Sequence, residues 1–282
     1  MHPRPFRQVD VFTVEPYLGN PVAVVQDGTG LTDAQMQAFA RWTNLSETTF
    51  LLPATAAAAD YRVRIFTPGG ELQFAGHPTL GSCHAWLEAG GQPHAAHQVV
   101  QECGVGLVRV RREAGRLAFA APALQRSAPT TMLLARVAGA LGLKAEQVVS
   151  AQMLDNGTAW LGLLLDNPQT VLRLTPDFAA LAESGHKVGV VARHAKPEAG
   201  AHEFEVRGFA PHLGVNEDPV TGSLNASLAQ WLMAEDLAPA AYVAAQGACL
   251  QRAGRVHLLR DADGQVWVGG ESVTCIAGAV TL

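Results

Sequence analysis

Two stretches of this chain repeat each other, and the repeat constrains the fold more than any other feature. Arg64-Ile-Phe-Thr-Pro68 and Arg207-Gly-Phe-Ala-Pro211 share the pattern R-x-F-x-P. His77-Pro-Thr-Leu-Gly-Ser82 follows the first, and Asp218-Pro-Val-Thr-Gly-Ser223 follows the second, at spacings that differ by two residues. Each block runs on through x-x-Ala into an apolar, helix-like stretch that ends near Leu87 or Leu232. The flanks match as well. Leu31-Thr32 and Leu174-Thr175 each open an Ala-rich helical segment, and Thr48–Leu52 and Val188–Ala192 read as equivalent strands. Arg111 to Phe119 and Arg260 to Val268 both read as strand–turn–strand, with Gly115 and Gly264 at the turns. A sequence written twice implies one structural plan built twice.

The chain has 282 residues, enough for two domains with separate cores. We divide it into 1–127 and 128–282, with Ala128-Pro129 as the linker and the last strand free to pack back on the first half. Strands are expected at Val9–Thr13, Pro21–Val25, Glu47–Leu52, Tyr61–Phe66 and Val105–Val110. Helices are expected at Leu31–Thr43, with Asn44 as its C-terminal cap, and at Thr79–Ala89. Thr79–Ala89 is apolar round much of its circumference, the pattern of a buried helix, and Leu224–Met233 repeats it. The fold class is therefore α+β: two pseudo-symmetric domains, each a mixed sheet or barrel wrapped around a central helix, with the chemistry in the cleft between them.

The repeated loops precede the two central helices. Proline costs nothing in a first helical turn, and the first N–H groups there lack internal partners and carry partial positive charge. Gly76, Gly81 and Gly222 allow close backbone approach to a ligand. Two such termini suit a carboxylate or similar anion. The plainer reading is capping, with Asp218 as an N-cap and Ser82 and Ser223 as helix-start residues. Against it stands an asymmetry: a duplicated scaffold needs the same cap twice, yet one copy has His77 and the other Asp218. A histidine and an acid at equivalent places suit proton transfer. Glu47, in Asn44-Leu-Ser-Glu-Thr-Thr-Phe50, is the third element. Glutamate is depleted in strands, and the matching segment His186-Lys187-Val188 has no acid. It is either an exposed edge carboxylate or, if buried beside Phe50 and Leu51, a base whose pKa rises toward neutrality.

At these residues the sequence resembles the phenazine-biosynthesis PhzF-like proteins of the diaminopimelate-epimerase-like fold. The resemblance rests on Val9-Asp-Val-Phe-Thr13, Gly19-Asn-Pro21, Asn44 to Phe50, Gly76-His-Pro78, Glu217 to Ser223 and Gln246-Gly247, in order along the whole chain. It implies a cofactor-independent isomerase similar to trans-2,3-dihydro-3-hydroxyanthranilate isomerase, in which a glutamate moves a proton between ring carbons. That glutamate falls on Glu47, the partner histidine on His77, the second-domain acid on Asp218 and a substrate-holding serine on Ser223. The backbone N–H groups of Gly76 and Gly222 would hold the substrate carboxylate. A homodimer is also implied. Asn225 stands where many relatives have a histidine, and Pro78-Thr79 is one variant of the first loop; both bear on the substrate. The racemase branch of the fold uses two cysteines in these loops, but here Ala75 precedes Gly76 and Asn216-Glu217-Asp218 contains none. A racemase working with carboxylates, or a binding protein with the cleft and no turnover, are the alternatives.

Other partners fit poorly. The formal net charge is −5 and the pI near 6.0, which does not suggest a nucleic-acid or anionic-membrane surface. Cys83, Cys103, Cys249 and Cys275 are scattered without a C-x-x-C pair, as reduced thiols are. No apolar run can span a bilayer, Met1–Phe6 does not read as a signal peptide, and cytoplasm is the expected location. His94-Ala-Ala-His97 has no third ligand nearby, so no metal is expected. Gly104-Val-Gly106 is not a dinucleotide fingerprint, and there is neither a P-loop nor a G-x-S-x-G elbow.

Overall fold

The repeat is written into the strand pairings of the computed structural model, which describes residues 2–113, 115–195 and 202–282. Contacts group these residues into two units, Met1–Ala120 with Gly269–Leu282, and Ala121–Val268. In the first, Asn20–Val25 runs parallel to Thr48–Leu52, which is antiparallel to Tyr61–Phe66. Tyr61–Phe66 pairs antiparallel with Glu71–Leu72 and parallel with Gln98–Cys103, which then pairs antiparallel with Gly106–Glu113. The second unit has the same succession. Ala159–Leu165 runs parallel to Lys187–Arg193, which is antiparallel to Phe204–Ala210. Phe204–Ala210 pairs antiparallel with Val215–Asp218 and parallel with Ala241–Gln246, which pairs antiparallel with Gly254–Arg260.

The R-x-F-x-P repeat has a physical reason. In the first unit Arg64 grips Glu71 with two parallel hydrogen bonds, Nε to Oε1 at 2.7 Å and Nη2 to Oε2 at 2.6 Å. In the second, Arg207 grips Glu217 in the same way, at 2.9 and 2.8 Å. Each guanidinium lies 5.1 Å from the ring centre of the phenylalanine two residues on, Phe66 or Phe209. The arginine thus ties its strand to the short strand before the central helix and covers an aromatic ring of the core.

The central helices span Gly76–Glu88 and Gly222–Ala234, and both are sunk in their sheets. Leu80, Cys83 and Ala85 are fully buried in one, and Leu224, Ala226, Trp231 and Leu232 in the other. Burying each large side chain contributes about 1.5–3 kcal/mol. Both approaches are close enough to require a glycine. A Cβ on Gly81 would come within 2.4 Å of Val22 Cγ1, and one on Gly189 within 2.2 Å of Leu224 Cδ1. Gly81, expected from sequence to admit a ligand, therefore serves helix–sheet packing instead.

Several boundaries differ from the sequence reading. The first strand covers Pro3–Val11 and not Val9–Thr13, because both of its neighbours, Asn20–Val25 and Ser272–Thr281, extend the ladder toward the N-terminus. Phe12 ends it at φ 67°. Residues 121–127 fall in the second unit, where Gln125–Ser127 pairs with Met153–Asp155, and the strand Ser272–Thr281 pairs with Pro3–Val11 in the first. Asn44 does cap Asp33–Thr43 in the left-handed conformation, and Gly115 and Gly264 both turn at φ 82°. Among the described residues, no helix is long and apolar enough to cross a membrane.

Candidate active site

Glu47 lies one residue before the strand Thr48–Leu52 and not within it. Its carbonyl accepts from Ala23 N–H at 3.4 Å, and Thr48 behind it is tied to Thr43 through their hydroxyls at 2.9 Å. The strand start therefore fixes where the carboxylate points. His77 is the second residue of the Gly76–Glu88 helix, so the packing of that helix fixes the imidazole. The two meet with His77 Nε2 3.4 Å from Glu47 Oε2. Their side chains are only 6% and 15% exposed. The reading of Glu47 as an exposed edge carboxylate is thereby overturned. Ser82, deeper in the helix, donates to Thr49 Oγ1 at 2.8 Å and is a buried brace between helix and strand, not a helix-start residue.

Asp218 closes the strand Val215–Asp218, and the N-cap position of the next helix belongs to Thr221. Asp218 is thus not the cap, and Pro219 lies outside the helix. Thr221 Oγ1 donates to Asp218 Oδ2 at 2.6 Å. Gln246 organises the loop from below. Its Nε2 donates to Asp218 O at 3.0 Å and Thr221 Oγ1 at 2.9 Å. Its Oε1 accepts from Thr221 N at 3.0 Å and Asn225 Nδ2 at 2.8 Å. Gln246 is 1% exposed and Asn225 2%, so the network fixes the loop geometry. Gly247, at φ 101°, leaves no room for a Cβ, which would lie 2.7 Å from Pro219 O.

Ser223 stands in the first turn of the Gly222–Ala234 helix. Its Oγ accepts from Trp160 Nε1 at 3.2 Å, and its carbonyl accepts from Asn156 Nδ2 at 3.2 Å. An indole N–H only donates, so the Ser223 hydroxyl is left with its own proton to give.

The two central helices share one more property. The helices that begin at Asp33, Thr131, Pro168 and Phe178 are each capped by a side chain, from Thr32, Thr130, Asn167 and Asp177. Neither Ala75 nor Thr221 gives its helix a side-chain cap. Of the plainer reading of the repeated loops, the Asp218 cap fails and neither helix has a side-chain cap from its N-cap residue, while Ser223 does stand at a helix start.

Sequence reasoning overlooked Asn156 and the role of Trp160, and Thr221 had entered only within the Asp218–Ser223 motif. Gln246 had entered only as part of the Gln246-Gly247 motif, without a role. Trp160 and Asn156 lie far from Ser223 in sequence, and no local pattern marks them. Asn225, read as a variant that bears on the substrate, is buried in the Gln246 network, where its amide also donates to Thr221 O at 2.9 Å. His94, in the motif set aside as a metal site, is bound through Nδ1 and its backbone N–H to Asp60 Oδ1, both at 2.7 Å.

Comparison with known proteins agrees with this architecture. The family model described as phenazine biosynthesis-like protein matches residues 9–278. Antisense-enhancing sequence 1 of Schizosaccharomyces pombe is 36% identical over 97% of both chains. Trans-2,3-dihydro-3-hydroxyanthranilate isomerase of Pseudomonas aeruginosa is 36% identical over 78% of this chain and 77% of its own. Among solved structures, a PhzF-family phenazine biosynthesis protein from Enterococcus faecalis superimposes with a TM-score of 0.82 at 27% identity, covering 100% of both chains. A probable proline racemase from Agrobacterium radiobacter, at 13% identity and a TM-score of 0.65, shares the fold alone. With a family match over residues 9–278 and a relative 36% identical over 78% of its length, this chain belongs to the phenazine biosynthesis-like (PhzF) family, whose members include named isomerases.

Proposed function

We propose that this protein is a cofactor-independent isomerase that moves a proton between two carbons of a small, carboxylate-bearing cyclic substrate. The observation that carries the reading is the contact of Glu47 with His77 in a largely buried setting. A carboxylate there is held within reach of one partner that can hold or release a proton. In the proposed reaction Glu47 takes a proton from one ring carbon as the double bond shifts. It returns the proton to a second carbon, giving an enol that tautomerises to the ketone. Nothing is oxidised, and substrate and product are isomers. His77 holds the carboxylate and tunes its proton affinity. The Ser223 hydroxyl, whose oxygen accepts from Trp160 and whose proton is left to give, and the first-turn N–H groups at Gly76 and Gly222 bind the substrate's polar groups. Asp218, held by Thr221, acts as the second acid. The uncapped starts of both central helices support the anion-binding part of this reading.

The test is incubation with trans-2,3-dihydro-3-hydroxyanthranilate in deuterated water, followed by NMR, with Glu47→Gln run in parallel. Isomerisation by the wild type and not by the variant supports both reaction and base. No turnover by the wild type excludes this substrate, and a screen of small cyclic carboxylates and amino acids for Glu47-dependent deuterium uptake then follows. Ligand binding unchanged in Glu47→Gln, without turnover or exchange on any bound candidate, would identify a binding protein.

A further inference from the structure

His194, His202 and Glu205 gather at one place in the second unit, with one potential ligand atom from each lying within 4.8 Å of the others. His194 follows the strand Lys187–Arg193, and His202 and Glu205 lead into and belong to the antiparallel neighbour Phe204–Ala210. Glu205 Oε2 is 3.4 Å from His202 Nε2 and 3.8 Å from His194 Nε2. The two imidazoles meet edge to face, with ring centres 4.7 Å apart. None of these residues belongs to the Glu47–His77 or Asp218–Ser223 sets.

The cluster has an unmet need. Glu205 is 4% exposed, yet its Oε1 has no hydrogen-bond partner among the described residues, and neither does the buried Nε2 of His194. Buried polar atoms are normally satisfied, and an orphan pair beside a second imidazole calls for an explanation. The nearby cations do not supply one. Arg207 is committed to Glu217, and Arg255, which also acts on Glu205, donates to Gly254 O and forms no ion pair with it at bonding distance. Four ligand atoms at about 2.0–2.2 Å around a tetrahedral zinc ion stand about 3.4 Å apart. The two Glu205 distances are already close to that separation.

We propose that His194, His202 and Glu205 form a binding site for a divalent transition-metal ion of the zinc class. Two neutral imidazoles and a carboxylate would occupy three positions and leave the fourth to water. The donor chemistry fits. Two imidazole nitrogens and one carboxylate oxygen are the kind of donor set that zinc-class ions take. A bound ion would clamp the ends of two paired strands together, which predicts a stabilising role distinct from turnover.

The experiment is a titration of the full, chelator-treated chain with cobalt(II) and then zinc. Cobalt reports four-coordinate binding through its visible d–d bands, and metal content after dialysis gives the stoichiometry. The wild type and Glu47→Gln should take up one equivalent and show the bands, and zinc should displace the cobalt and raise the melting temperature. His202→Gln and His194→Asn should each weaken binding by at least about tenfold and abolish the melting shift. His94→Ala should change nothing. Should one of the two ligand variants lose its near-UV circular dichroism, the other decides. Absence of binding in the wild type, or equal binding in the wild type and both folded ligand variants, overturns the proposal.

Discussion

His77 Nε2 sits 3.4 Å from Glu47 Oε2, joining the first turn of a buried helix to the start of a strand thirty residues earlier. Under the proposed function this contact joins a base to the group that governs its proton. Glu47→Gln keeps the shape and removes the base. The variant should fold normally and lose turnover by about 10²–10⁴-fold, the usual contribution of a positioned general acid–base group. His77→Gln should lower kcat and displace the acid limb of the pH–rate profile. A purely structural role for His77 would leave that limb in place.

Gln246 makes a second prediction. Removing its amide in Gln246→Ala strands the buried N–H of Thr221 and takes one of the two acceptors from the amide of Asn225, which keeps Thr221 O. Each buried polar group left without a partner costs about 1–3 kcal/mol, so urea denaturation should show a loss in that range or above it. Gln246→Glu keeps the acceptor; protonated, it retains one donor and should be milder, and charged, it loses the donor to Asp218 O and Thr221 Oγ1 and should cost a comparable amount.

The duplicated arginines allow a controlled comparison. Arg207 and Glu217 are 5% and 6% exposed, while Arg64 and Glu71 are 23% and 36% exposed. Arg207 also donates to the carbonyls of Val171 and Leu174, both at 3.0 Å. Arg207→Ala leaves a buried carboxylate and two carbonyls without their donor, and should cost about 3–5 kcal/mol. Arg64→Ala, at a wetter copy of the same contact, should cost clearly less. Parallel denaturation curves check the order, and equal losses would mean that burial is not what separates the two.

Thiol reactivity gives a pH-dependent prediction. Burial pushes the Cys83 thiol up to about 12, whereas Cys249 is exposed, though burial raises its thiol as well. Only the thiolate reacts. Raising the pH through the ordinary thiol range should speed alkylation of Cys249 and leave Cys83 unlabelled until the protein is unfolded. Peptide mass spectrometry after a short pulse of reagent distinguishes them.

Much of the fold was legible because it depends on short-range pattern. R-x-F-x-P marks an arginine that pairs with a glutamate on the next strand and stacks on its own phenylalanine, and both contacts lie within ten residues. The apolar circumference of each central helix announced its burial, and Asn44, Gly115 and Gly264 announced their turns. Glu47, His77, Asp218 and Ser223 were visible as breaks in the repeat or as elements of motifs.

Tertiary structure decided the rest. Only packing reveals that Gly81 faces Val22, that Thr221 and not Asp218 holds the cap position, and that Asn225 serves Gln246. Only strand pairing brings His194 to His202 and Glu205, and only the packing of the Gly222–Ala234 helix on its sheet brings Ser223 to Trp160. The reason is physical. Backbone preference and side-chain periodicity act over one turn or one hairpin and can be read along the chain. Hydrogen bonds between residues tens of positions apart exist only after the sheets have closed, and sequence carries no local record of them.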